Sequence, residues 1–202
     1  MAVEAVVFDV GNVLYRWEPR SLYERLIPDG QALDAFMDNV VTMDWHLQHD
    51  AGRPFAETSA ELIAEHPQHA ELIRAWGERF DETILGMVEG MQPIVEALDA
   101  NRVPLFAITN FSGEFWKPFR LAEAHIFDRF REIVVSGDEK MLKPDPAIYD
   151  LAIARFGIAP QSAIFIDDRE DNVEAARNAG MTGHHFSGAA ALKTELERLG
   201  LL

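Results

Sequence analysis

The chain has no cysteine among its 202 residues. Disulfides, thiolate metal sites and a thiol nucleophile are therefore excluded. It is also short of positive charge, with 18 Lys and Arg against 34 Asp and Glu and a formal net charge of -16. A surface that acidic repels nucleic acid and anionic membranes, so neither is expected as a partner. It repels an anionic substrate too, so any site for one must carry its own positive field. No apolar run approaches the length of a membrane span. The start of the chain has no basic leader and no long apolar stretch, so no signal peptide is expected. With the missing cysteines, this is compatible with a cytoplasmic protein. There is no internal repeat and no low-complexity tract. From Pro19 to about Leu85 there is almost no strand signal.

Hydrophobic residues make up 48% of the chain, enough for a sizeable core in one domain or in a core domain with an insertion. The first strand is expected over roughly Val3 to Phe8, and its continuous apolar character, with the run Ala5-Val6-Val7-Phe8, suits a parallel strand buried on both faces. Between Pro19 and Leu85, helical spacing appears over Ser21–Ile27, Gln31–Val41, Phe55–Glu65 and Ala70–Phe80, with breaks at Pro28-Asp29-Gly30, Ala51-Gly52-Arg53-Pro54 and Pro67. After Gly90 the rhythm alternates. Strands are expected at Leu105–Ile108, Ile133–Val135, Ala163–Ile166 and, weakly, Gly183–Phe186. Helices are expected at Ile94–Ala100, after Ser112, and over Pro146–Phe156, Glu170–Ala179 and Ala189–Leu199. Alternation of this kind implies an α/β fold: a Rossmann-like parallel sheet core with an inserted all-helical cap. The expected division is a core of residues 1–16 plus 88–202 and a cap of residues 17–87.

Ligands of open parallel sheets sit beyond the carboxyl ends of the strands. Four polar clusters fall there: Asp9 to Asn12, Thr109 to Ser112, Lys143, and Asp167 to Asp171. A carboxylate at the tip of a buried strand is costly unless it binds something, and this chain has two such strands, ending at Asp9 and at Asp167-Asp168. Asp9 can attack phosphorus and form an aspartyl-phosphate that water cleaves. A cation is then needed against the phosphate charge, and Mg2+ prefers oxygen ligands. Asp9 and Asp168 can each give it an oxygen and the backbone carbonyl of Gly11 a third, with Asp167 holding a metal-bound water. Backbone N–H groups around Thr109 and Asn110, with the Thr109 hydroxyl, suit phosphate oxygens. Lys143 supplies a compact positive charge, and the following Pro144 favours an extended backbone that aims the amine back at the site. Lys140 is the second choice.

Taken singly, each of these residues has an ordinary reading. Asp9 can cap a turn, Thr109-Asn110 can start a helix, Lys143 can be a solvated lysine, and Asp167-Asp168 can be a loop. Their order and their placement at strand ends argue against four coincidences. Phe8-Asp9-Val10-Gly11-Asn12-Val13-Leu14, Ile108-Thr109-Asn110, Lys143-Pro144-Asp145-Pro146-Ala147-Ile148-Tyr149 and Phe165-Ile166-Asp167-Asp168-Arg169-Glu170-Asp171-Asn172 resemble the four ordered motifs of the haloacid dehalogenase superfamily. Among its members the chain most resembles the branch that includes the alpha-glucose-1-phosphate phosphatases. The resemblance implies that Asp9 is nucleophile and metal ligand and that Gly11 ligates through its carbonyl. It implies that Thr109 and Lys143 hold phosphate, that Asp168 completes a Mg2+ site, and that the substrate is a small phosphorylated molecule, a sugar phosphate first. It says nothing of oligomeric state.

Most phosphatases of that superfamily carry an acid–base aspartate where this chain has Gly11. Such help is worth roughly a hundred- to ten-thousand-fold in rate. Its loss leaves three readings: a good leaving group, a proton from the cap (His46, His49 or Asp50), or a reaction other than phosphate cleavage. The last would be a metal-free 2-haloacid dehalogenase using Asp9, or a weakly catalytic metabolite-binding homologue. The dehalogenases carry an aromatic residue and Gly-Thr after the nucleophile, unlike Gly11-Asn12-Val13. Trp45, His46, His49 and Asp50 are expected near the substrate or on a helix beside the cap–core interface. His46 and His49, three apart, could face one ligand. Trp17, Trp76 and Trp116 are expected to fill cores or interfaces, and His184-His185 has no assigned role.

Overall fold

The structure, a computed structural model, describes residues 2–202; Met1, counted in the expected core segment, lies outside them. Along the chain run β1 (Ala5–Phe8), β2 (Tyr15–Trp17), α1 (Arg20–Glu24), α2 (Gly30–Asn39), α3 (Met43–Asp50), α4 (Phe55–Glu65) and α5 (Ala70–Glu78). Then come β3 (Ile84–Met87), α6 (Met91–Ala100), β4 (Leu105–Thr109), α7 (Gly113–Ala122), α8 (Ala124–Phe127), β5 (Glu132–Val135) and α9 (Ser136–Glu139). The chain closes with α10 (Pro146–Phe156), β6 (Ala163–Asp167), α11 (Glu170–Asn178), β7 (Thr182–His185) and α12 (Ala189–Arg198).

Five strands form one parallel sheet in the order β5-β4-β1-β6-β7. The three central strands are buried along their whole length, which explains why their sequences are unbroken apolar runs rather than alternating ones. Successive side chains still point to opposite faces. Ala5, Val7, Phe106, Ile108 and Phe165 meet α10 and α11 through Ile148, Tyr149, Ala152 and Ala176. Val6, Phe8, Ala107, Ile164 and Ile166 meet α6, α8 and α12 on the other face. The α/β class expected from the sequence is thus observed, with a block of five helices inserted between β2 and β3.

Local chemistry sets several of the helix ends. Asp29 caps α2 by accepting from Ala32 N, and Thr42 caps α3 by accepting from Trp45 N. Asp145 caps α10, Pro146 is its first residue, and Gly157 ends it with φ 62. The apolar faces of the inserted helices bury Leu22, Tyr23, Phe36, Trp45, Ile73 and Trp76 in a cluster continuous with the upper face of the sheet.

One feature departs from the sequence reading. β2 and β3 pair antiparallel as a separate two-stranded ribbon, with Tyr15 opposite Met87 and Trp17 opposite Ile84. The expected strand-free stretch therefore stops at Thr83. The ribbon is unreadable because β3 buries neither face, so no period-2 burial pattern marks it. No described helix is long and apolar enough to cross a membrane.

Candidate active site

The strand register builds the site. Phe8 lies level with Ala107 of β4 and Ile166 of β6, and Asp9 N continues the ladder to Ile166 O at 2.8 Å. The residues at or just beyond these strand ends, Asp9, Thr109 and Asp167-Asp168, are therefore neighbours although the chain spreads them widely. Oxygens of Asp9, Asp167 and Asp168 all lie within 4.8 Å of one another. Lys143, in the loop before α10, sends its Nζ between two of them, 2.9 Å from Asp9 Oδ1 and 2.7 Å from Asp167 Oδ2. Its side chain is 1% exposed, and the ammonium also stands 5.4 Å from the centre of the Phe165 ring. The Lys143-Pro144 bond is cis.

Supporting groups fix each member. The Asn110 side chain clasps the backbone of Lys143, accepting from Lys143 N at 2.8 Å and donating to Lys143 O at 3.0 Å. Asp9 Oδ1 accepts from Val10 N at 2.6 Å. Asp167 is fully buried and accepts from Arg169 N and from Asn172 Nδ2 as well as from Lys143. A His185 ring nitrogen donates to Asp168 O at 2.9 Å, bracing that loop from β7. Thr109 Oγ1 is buried and has no partner. Gly11 has no positive φ, and a Cβ added there would meet nothing within 4 Å.

Burial pushes the Asp9 carboxyl up to about 7; Lys143 opposes that shift and Asp167 reinforces it. Asp168 is raised in the same direction, by burial and then by Asp167. Burial alone would lower Lys143, but Asp9 and Asp167 more than offset it, so its pKa rises. The two ends of the Asp9–Lys143 contact thus respond differently. The ammonium faces two carboxylates and stays charged, whereas Asp9 has one cation and a second anion beside it. Three carboxylates around one ammonium leave excess negative charge, a donor set suited to a hard divalent cation with oxygen ligands.

These groups form one end of a cavity of about 410 Å3. Asp9, Gly11, Asn110, Lys143 and Asp168 line it, and Trp17, His46, Asp50 and Phe80 close it from the ribbon and the inserted helices. A match to the sequence profile of haloacid dehalogenase-like hydrolases spans residues 3–180.

The chain belongs to the haloacid dehalogenase-like hydrolases.

Within that family it is 25% identical to the sesquiterpene phosphatase astK of Aspergillus oryzae, over 97% of this chain and 96% of that one. It is also 25% identical to the phosphorylated carbohydrates phosphatase of Thermotoga maritima, over 89% of this chain and 82% of the relative. A family enzyme of Bacteroides thetaiotaomicron, solved with magnesium and inorganic phosphate, shares the fold with a TM-score of 0.70 at 19% identity, covering 92% and 95% of the two chains. The L-2-haloacid dehalogenase of Xanthobacter autotrophicus shares it with a TM-score of 0.61 at 18% identity, covering 89% and 75%.

In this hydrolase the two expected cap histidines part company. His46 lines the cavity, and its Nε2 pairs with Asp50 Oδ2 at 3.2 Å. His49 is fully buried, bonded through Nε2 to Thr58 Oγ1 at 2.7 Å, and does not line that cavity. Burial, then His46 and Arg53, lower its pKa to about 3, so it stays neutral at ordinary pH. The two rings lie 6.0 Å apart with separate partners rather than sharing a ligand. Trp76 and Trp116 are buried as expected, but Trp17 walls the cavity. Lys140 does not line it, whereas Arg169 does, paired with Asp171. Asn110 and His185 act on the site through hydrogen bonds across the fold, which no sequence spacing reveals, while Asn172 acts locally, five residues from Asp167.

Proposed function

We propose that this hydrolase is a Mg2+-dependent phosphatase of small phosphomonoesters, working through an aspartyl-phosphate on Asp9. The observation that carries the reading is the charge imbalance at the strand ends: Asp9, Asp167 and Asp168 gathered about Lys143 alone. A halide displacement at carbon has no need of such a donor set, whereas an approach of carboxylate to phosphate does. The Bacteroides enzyme, solved in complex with magnesium and inorganic phosphate, supports the same reading.

Asp9 would attack phosphorus as the bond to the leaving oxygen breaks, and water would then cleave the acyl phosphate to release inorganic phosphate and restore Asp9. Asp9, Asp168 and the Gly11 carbonyl would hold Mg2+, with Asp167 behind them. When bound, the metal would neutralise charge and orient the phosphate. Lys143 would hold a phosphate oxygen and keep Asp9 aimed. The unpartnered Thr109 hydroxyl would donate to another phosphate oxygen. The helices of residues 17–87 would serve as a cap that keeps bulk water from the reacting atoms. A cavity of this size admits metabolites rather than polymers, and the protein would act on them in the cytoplasm.

The first test is hydrolysis of para-nitrophenyl phosphate by the purified protein. Turnover with Mg2+ that is abolished by chelator is expected. Metal-independent release of halide from a 2-haloacid, with no ester hydrolysis, would replace the reading by the dehalogenase one.

Gly11 supplies no proton to the leaving group. Because a side chain there meets open space, Gly11→Asp should fold. It should raise kcat/KM for simple alkyl phosphates by about 10^2-fold, with a smaller gain for aryl phosphates, whose leaving group is less basic. No gain in steady-state assays of the two ester classes would mean that the proton already comes from elsewhere, and equal gains would mean that the new carboxyl does not act by protonating the leaving group. The resemblance to the alpha-glucose-1-phosphate phosphatases would make a sugar phosphate the substrate, a class that the leaving-group half of the cavity weighs against.

A further inference from the structure

We infer that the substrate is the phosphate ester of an apolar, ring-bearing alcohol or phenol and that a sugar phosphate is disfavoured. This rests on the phosphatase reading above and concerns the leaving-group half of the same cavity.

Away from the carboxylates, the wall is apolar on both sides. Trp17, Phe80 and Ile84 form it from the ribbon and the inserted helices; Phe111, Phe119 and Leu142 form it from the core. Met43 and Leu47 also line the cavity and remain 51% and 37% exposed, so apolar surface continues out to solvent. Large apolar side chains left exposed at a cavity are informative where isolated ones on a surface are not.

Polar groups on this wall are few and mostly committed, and Arg169, which also lines the cavity, is paired with Asp171. The Tyr15 hydroxyl donates to Glu123 at 2.9 Å. Asn12 Oδ1 accepts from Trp17 N at 3.0 Å. His46 and Asp50 are paired with each other. Three polar atoms of lining residues remain buried and unpartnered: Trp17 Nε1, His46 Nδ1 and Asp50 Oδ1. They can meet one polar substituent of a ligand. They cannot serve every hydroxyl of a hexose, and each buried hydroxyl without a partner weighs against binding. A flat or carbocyclic ring instead gains by covering Trp17 and the phenylalanines. For the phenol, Gly11 points the same way, since without its acid a weakly basic phenolate leaves more easily than an alkoxide; it does not favour an apolar alcohol over a sugar.

The decisive comparison is cyclohexylmethyl phosphate against glucose 6-phosphate, assayed with Mg2+ and with acetyl phosphate as a common small substrate. Both are primary alkyl esters on six-membered rings, so reactivity of the leaving oxygen is matched and the ring hydroxyls are isolated. We expect kcat/KM for the cyclohexyl ester to be at least about tenfold higher, and 1-naphthyl phosphate to be faster still. Trp17→Ala should raise KM for the cyclohexyl ester several-fold more than KM for acetyl phosphate. Equal or better hydrolysis of glucose 6-phosphate would overturn the substrate class and leave the phosphatase standing. No hydrolysis of any of these substrates, the acyl phosphate acetyl phosphate included, would overturn the phosphatase and this inference with it.

Discussion

Asp9→Asn should lower phosphomonoester turnover by about 10^4- to 10^6-fold, the range seen when a nucleophile is removed from an otherwise intact site. The amide cannot form the acyl phosphate, yet it has nearly the shape of the carboxyl group and can still accept from Val10 N and Lys143 Nζ. The fold should therefore survive, and the pH dependence of stability says more. Burial holds the Asp9 carboxyl up to about 7, against an ordinary 3.8. A group raised in this way contributes stability that is full below its unfolded pKa and lost as pH rises through the folded one. In chelator, the variant should therefore melt at or above the parent at pH 8, and the difference should shrink toward pH 4. Added Mg2+ should reverse the order by stabilising the parent more than the variant. Calorimetric scans across pH, with and without Mg2+, check this. Substantial turnover by the variant would remove Asp9 as the nucleophile.

Lys143→Met is expected to damage both activity and stability. The ammonium is the one cation between Asp9 and Asp167, and its side chain is 1% exposed. Methionine has similar bulk, so packing is largely kept and the charge is what is lost. Breaking a buried ion pair from one side costs about 3–5 kcal/mol, a large share of the roughly 5–15 kcal/mol that holds a domain together. The melting temperature should fall by about 10 °C near neutral pH, at roughly 2–4 °C per kcal/mol for a chain of this size. Acidification should narrow the gap, because protonated carboxyls no longer need the cation. Mg2+ should narrow it as well. Turnover should drop at least about 10^3-fold even where the variant is folded, since phosphate loses a cation and Asp9 its aim. A variant that melts with its parent at pH 7 would contradict the buried ion pair itself.

The clustering of these residues is legible in the sequence where chemistry and strand pattern coincide. Asp9 and Asp167-Asp168 could be read because each follows an unbroken apolar run, and a parallel sheet brings such ends to one edge. Helices α4 and α10 could be bounded to the residue because Pro54, Asp145-Pro146 and Gly157 mark them. Lys143 was recognisable from its motif. The bond that fixes it, from Asn110 across the fold, was not, because a side chain clasping a distant backbone leaves no periodic trace. His46 and Asp50 sit four apart, a spacing that brings helical side chains together. His49 lies three from His46, yet the packing of Phe55 and Phe115 turns its ring toward Thr58. Trp17 reads as a filler of core or interface because its strand is three residues long and is defined only by pairing with β3. Cross-strand pairing of that kind is a property of the folded chain.

That ribbon also bears on how such a protein can be rebuilt. The chain enters and leaves the five inserted helices through paired strands, with Trp17 facing Ile84. The two ends of the insert are thus only about 5 Å apart, and no strand of the main sheet lies within it. Topologically the insert is a cassette, and another segment could be spliced between the same two points without reordering the sheet. The aromatic seam restricts what can be spliced in. Phe80 stacks on Phe115 at 4.4 Å and meets Phe111 at 5.5 Å, while Phe55 meets Phe115 at 5.7 Å. A replacement would have to bring its own rings to that seam, so exchange among relatives should carry Phe111 and Phe115 along with the helices they face.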